Sequence, residues 1–228
     1  MLLVLVLATA PAAALAQELS ESERLVVTSE AFLSAHPDLK YRLEGLDALE
    51  KGRHSQAVVF FKRAARYSDK PSQGMLGEMY WGGMGVAQDR LMGYVWMDVA
   101  AERGFPVMVA KREAYWNALS PEERVAAVEL GVPVMDEYGD AAAKPRLAQL
   151  IKRSARNVTG SRVGHVGNLV IQIPGPTGFR EVRGTDYYSP TFWDPEKYSA
   201  WLDQDWKSPP KGEVDVGEVI SVESPPGD

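Results

Sequence analysis

Residues 76–104 read LGEMYWGGMGVAQDRLMGYVWMDVAAERG, and the rest of the chain is organised around them. A helical apolar pattern through Leu76, Met79 and Tyr80 runs into the glycine-rich stretch Gly82 to Gly85, and a second helical pattern carries Gly93, Trp96, Met97, Ala100 and Ala101. Asp89 stands where a side-chain oxygen can cap the second helix, and Gly104 suits its C-terminal end. Ala100 and Ala101 are small enough for two helices to approach closely, Trp96 and Tyr80 fill the space around them, and the glycines permit positive φ in the connection.

Upstream, Leu39 to Tyr67 divides at Gly52 into two helical patterns, one through Leu43, Leu46 and Leu49, the other through Ala57, Phe60, Phe61, Ala64 and Ala65. The second set recurs 36 residues later as Gly93, Trp96, Met97, Ala100 and Ala101. The first helices align at a shorter offset, 30 residues, so six residues, Gly83 to Gln88, are inserted in the turn. Two repeats are visible by this count.

In the spacing of Leu76, Gly77, Tyr80, Gly83, Gly85, Asp89, Trp96, Ala100, Ala101 and Gly104, the stretch resembles the Sel1-like repeat. That family is related to the tetratricopeptide repeat and pairs two antiparallel helices. The resemblance implies a mainly α fold, a solenoid of helical hairpins, and an adaptor role in which a concave surface selects a peptide or helix of another protein.

Around this array the chain divides into regions. Residues 1–16 are an apolar run ending Ala14-Leu15-Ala16, the pattern of a secretory signal peptide cleaved after Ala16. Export, to the periplasm if the source is Gram-negative, is the expectation, with no stable membrane span after cleavage. The absence of cysteine excludes disulfides and thiol chemistry. Residues 17–156 form the helical repeat domain. Within it, Glu18 to Ala35 reads as one polar capping helix, a capping box at Ser120 and Glu123 starts a helix toward Tyr138 that Pro133 should bend or divide, and a last helix is expected over 145–156. Residues 157–222 read as a small mixed α/β, aromatic-rich region: a strand at Leu169 to Ile173, a helix from Asp194 to Trp206 and a second β-like run from Val214 to Val222. Residues 223–228 read as a disordered tail.

The chemistry suggested by these residues is spare. A formal net charge of −6 leaves no basic excess to neutralise phosphates, which argues against nucleic acid. His36, His54 and His165 stand at no metal-binding spacing, so no metal or cofactor is expected. Paired carboxylates, Glu137 with Asp140 or Asp203 with Asp205, are the one route to a cell-wall hydrolase, though solvated charge is the default reading of all four. Tyr187, Tyr188, Trp193, Trp201 and Trp206 are the candidate binding residues, able to stack on sugar rings or anchor a peptide if exposed and forming a core if buried. The expected function is therefore non-catalytic binding of another protein of the cell envelope, with peptidoglycan as the second partner class.

Overall fold

A computed structural model describes residues 19–158, 169–175 and 178–207. The expected signal peptide, the expected β-like run at Val214 to Val222, His165 and residues 223–228 lie outside the described residues. The architecture is a mainly α solenoid of helical hairpins with a small mixed α/β C-terminal region. The first hairpin joins α3 (Pro37–Glu50) to α4 (His54–Ala65), and the second joins α5 (Lys70–Gly82) to α6 (Arg90–Ala101). Gly52 turns the first at φ 69°.

In the second hairpin the local devices are visible one by one. Asp69 caps α5 by accepting the Ser72 N–H, and Gly83 ends it in the left-handed region. Asp89 accepts the Met92 N–H at 3.0 Å to start α6. The six-residue insertion folds back on the preceding hairpin: a Cβ on Gly85 would lie 2.4 Å from the backbone of His54. The echoed positions are the helix contacts themselves, since Ala57, Phe61, Ala64 and Ala65 are buried, as are Trp96, Met97, Ala100 and Ala101.

Beyond the second hairpin, α7 (Pro106–Ala118) and α8 (Pro121–Tyr138) both pack on α6. The Ser120–Glu123 capping box is present, and Pro133 neither divides α8 nor ends it. Pro133 and Glu129, whose carbonyl loses its partner to the proline ring, are both on the exposed side, where water can satisfy that oxygen. Helix α9 (Asp140–Val158) begins earlier than expected and contains Pro145.

The helices before the first hairpin meet the C-terminal region. Instead of one N-terminal helix there are two, α1 (Glu21–Thr28) and α2 (Glu30–Ala35). They are split at Ser29, whose hydroxyl donates to the Val26 carbonyl at 2.7 Å and accepts the Phe32 N–H. Strands β1 (Val170–Gly175) and β2 (Gly178–Arg183) form an antiparallel hairpin with Ile171 opposite Val182 and Ile173 opposite Arg180. Short helices α10 (Gly184–Tyr187) and α11 (Pro190–Trp193) lead to α12 (Pro195–Lys207). Val26, Phe32 and Leu39 share one core with Ile173, Val182, Tyr187, Phe192, Trp193 and Tyr198. The N-terminal helices thus do not simply shield the end of the array; they are half of the C-terminal region's core.

His36, which stands at no metal-binding spacing, is fully buried at this junction. Its ring stacks on Phe32 at 3.8 Å. Nδ1 lies 2.9 Å from the Phe32 carbonyl and Nε2 lies 2.8 Å from the Phe192 carbonyl. Burial holds the imidazole down at about 4, against the two carbonyls that favour its charged form. Beside it, the Tyr198 hydroxyl donates to Asp38 at 2.9 Å. Burial and the neighbouring Asp69 push the Asp38 carboxyl up to about 7, outweighing Arg42 and the Tyr198 hydroxyl.

Two predictions follow from this packing. A Cβ on Gly93 would stand 2.8 Å from the backbone of Trp81, so Gly93→Ala forces the second hairpin apart and should cost roughly 1–3 kcal/mol; an unchanged melting temperature would refute the close approach. For Asp38, the unfolded carboxyl releases its proton near 3.8 and the folded one near 7, so the folded state holds the extra proton between them and stability falls as pH rises through that window. His36 acts oppositely, with stability lost as pH falls from 6.5 toward 4. The melting temperature of Asp38→Asn relative to the parent should therefore rise on going from about pH 5 to pH 8. Parallel pH profiles would show that Asp38 is ionised in the folded protein.

Candidate interaction site

The aromatic residues picked out from the sequence are divided by the fold. Tyr187 and Trp193 are buried, and the Trp193 Nε1–H donates to the Tyr187 carbonyl at 2.6 Å. Burial pushes the Tyr187 phenol up to about 12. Tyr188 is half-buried against both. Trp201 packs edge-on to Phe192 at 5.3 Å and lines a groove of about 510 Å³ with Leu25, Leu39, Leu43 and Arg180. Trp206 sits away from that cluster, packed against the core that the hairpins share and against the smaller one formed by Met97, Ala100, Ala101, Phe105 and Met108. These side chains form no shared exposed platform.

The repeat-motif residues act in packing and turns. Leu76, Trp96, Ala100 and Ala101 are buried in the hairpin cores. A Cβ on Gly77 would lie 3.0 Å from Met97 Cε. Tyr80 is half-buried and its carbonyl accepts the Asp89 N–H at 2.9 Å. Gly83, Gly85 and Gly104 all have positive φ.

What sequence reasoning missed is a polar hub beneath α12. Arg103, just after α6, donates from Nε and Nη2 to the two oxygens of Asp140 at 2.8 and 2.9 Å. Its Nη1 donates to Asp203 at 2.6 Å, and Nη2 also reaches the Ser68 carbonyl at 3.0 Å. Lys70, fully buried, donates to the Val99 carbonyl at 2.9 Å and to Glu102 at 2.7 Å. Glu102 in turn accepts the Asp140 N–H at 2.9 Å. Burial pushes Asp140 upward, but the hydrogen bonds from Arg103 and the charge of Lys70 outweigh it and hold the carboxyl well below the usual carboxylate range. Ser68 takes part at φ 67°, with its hydroxyl donating to Asp140 at 2.6 Å.

This hub alters the reading of the carboxylates. Asp140 and Asp203 are not solvated charges but largely buried acceptors of Arg103, and Glu137 pairs with Arg66. A glycosidase acid needs a raised pKa, and Asp140 is shifted the other way. A cleft of about 500 Å³ lies over the hub, lined by Asp38, Ser68, Lys144, Asp203 and Lys207. Its polar floor is mostly occupied by its own ion pairs.

A different kind of surface lies on α8. The helix buries Ala127 and Tyr138 but leaves Val125, Val128 and Val132 at 63%, 56% and 58% exposure. These positions follow the i, i+3, i+7 spacing of one helix face. Next to them runs a groove of about 320 Å³ between α6 and α8, lined by Tyr94, Val95, Asp98, Gly131, Met135 and Asp136. An apolar helix face is ordinarily covered; the one through Val125, Val128 and Val132 is exposed.

No protein-family model and no curated protein matches the chain. Among solved structures it is similar to the crystal structure of c5321, a protective antigen present in uropathogenic Escherichia coli strains displaying an SLR (Sel1-like repeat) fold, at 22% sequence identity and a TM-score of 0.45. The match covers 63% of this chain and 32% of that one, so the chain spans about a third of that protein's length.

Removing the hub arginine takes the counter-charge from the largely buried Asp203 and leaves Asp140 with Lys70 and Lys144 but without its two-pronged donor. Arg103→Met should lower stability by about 3 kcal/mol or more, as read in urea unfolding. Arg103→Lys should fall between, because an ammonium cannot match the two-pronged geometry. If Arg103→Met unfolds at the parent's urea midpoint, the hub is not supporting α12.

Proposed function

We propose that this chain is an exported helical-repeat protein that binds another protein of the cell envelope, acting without catalysis as an adaptor or scaffold. The observation that carries the reading is the valine face of α8, an apolar helix surface exposed beside a groove. Contiguous apolar surface of this kind marks interaction sites on soluble proteins. The hairpin solenoid supports the same reading, because stacked helix pairs form rigid concave surfaces suited to holding a peptide or helix.

Export rests on the apolar run before Ala16, and no helix among the described residues is long and apolar enough to cross a membrane. Peptidoglycan binding has thinner support, resting on Trp201 in its groove.

Expression of the full chain in a Gram-negative host, followed by cell fractionation and N-terminal sequencing, should give a periplasmic protein that starts at Gln17; retention of Met1 in the cytoplasm would contradict export. In-cell crosslinking and mass spectrometry should recover a defined envelope protein. Failure to recover one, under conditions that trap known envelope complexes, would count against the adaptor role.

A further inference from the structure

The α8 face carries more than its apolarity. Asp98 and Asp136 belong to the groove lining, and Glu129, one turn beyond Val125, is exposed on the same side of the helix. Neither Glu129 nor Asp136 forms an ion pair among the described residues, and Asp98 has only Arg112, at 3.6 Å. The basic residue of the helix itself, Arg124, is turned away: it donates to the Trp116 carbonyl at 2.9 Å and lies over the Trp116 ring. The apolar stripe is therefore bordered by negative charge.

Gly131 adds a second observation. It lies inside α8, where glycine is less favourable than alanine, yet a Cβ there would meet only Val95 Cγ2, at an ordinary 3.9 Å. Neither chain direction nor crowding demands glycine at this position. Its effect is to leave the floor of the groove open, so that another backbone can approach.

We propose that the α6–α8 groove takes an α-helix of another protein, one that presents an apolar stripe flanked by lysine and arginine; this rests on the protein-binding reading above. A helix suits the site better than an extended peptide. Apart from the Glu129 carbonyl that Pro133 leaves without its helical partner, the backbones of α6 and α8 bond within their own helices and offer no sheet edge to pair with. Val125 to Val132 spans about 10 Å, two turns, which matches the anchor spacing of a helix lying in a groove. Charge selects the partner: a second copy placed face to face would set Glu129 and Asp136 against their own counterparts, whereas basic flanks would complement them.

The test uses the full chain and a fluorescein-labelled amphipathic helix of leucine and lysine, about 14 residues long, with its leucine–glutamate counterpart as control. Anisotropy titrations at about 0.15 M salt should show saturable one-to-one binding of the lysine peptide and none of the glutamate peptide. Gly131→Leu, which fills the groove, and Val128→Arg, at an exposed position that does not threaten folding, should each weaken binding about tenfold or more. Asp136→Asn should weaken it less and flatten its salt dependence, while Glu196→Gln, remote from the groove, should change nothing.

Lack of saturable binding, or affinity unchanged in both Gly131→Leu and Val128→Arg, would overturn the proposal. So would a parent dimer in sedimentation that Val128→Arg dissociates, since a second copy would then be the occupant. If the in-cell partner is recovered but its capture survives both groove variants, protein binding stands and this site falls; absence of any partner strikes the protein-binding reading itself.

Discussion

One guanidinium holds the architecture together. Arg103 follows α6, and its donors reach the turn before α5 at Ser68, the start of α9 at Asp140 and the middle of α12 at Asp203. With Lys70 and Glu102 it forms a partly buried network in which donors and acceptors are matched. Such a network stabilises only when its members are satisfied, because each charge left unpaired in a low-dielectric site costs more than the pair contributes. The backbone responds to that demand: Ser68 holds a left-handed φ, uncommon for a residue with a Cβ, and from there both its carbonyl and its hydroxyl engage Arg103.

The position of α12 has consequences at both ends of the chain. Once α12 lies against the repeats, Tyr198 reaches Asp38 on α3 and the Phe192 carbonyl reaches His36, so the N-terminal helices and the C-terminal region share one interior. Trp206 extends the same seam onto the hairpin cores. The aromatic residues that could have served as an exposed sugar platform are largely used in this closure. The far side of α8 takes no part in this closure, and the proposed function rests there.

Legibility in the sequence followed physical range. The hairpins could be read because helix contacts repeat at short spacing: the alanine and aromatic echo between Ala57–Ala65 and Gly93–Ala101, the cap at Asp89 and the box at Ser120 are all local signals. The polar hub could not be read, since Arg103 and Asp140 sit in unremarkable surroundings and acquire meaning only when distant turns converge. His36 was passed over for the same reason; its partner Phe192 lies across the closed seam. β2, GFREVR, carries few apolar residues and buries only Val182, which is too weak a pattern to announce a strand. The α8 surface did leave a sign in the run VAAVELGVPV, which is apolar on too many sides for a helix with one covered face.

Closed through Arg103, the repeats, the N-terminal helices and α12 should unfold as one cooperative body. Native-state hydrogen exchange of the parent protein tests it most directly. The most protected amides of α12, α3 and α5 should exchange with a common free energy equal to that of global unfolding. Amides of α12 that open at a much lower free energy, while the hairpins stay protected, would show the C-terminal helix to be a separate appendage and would contradict it.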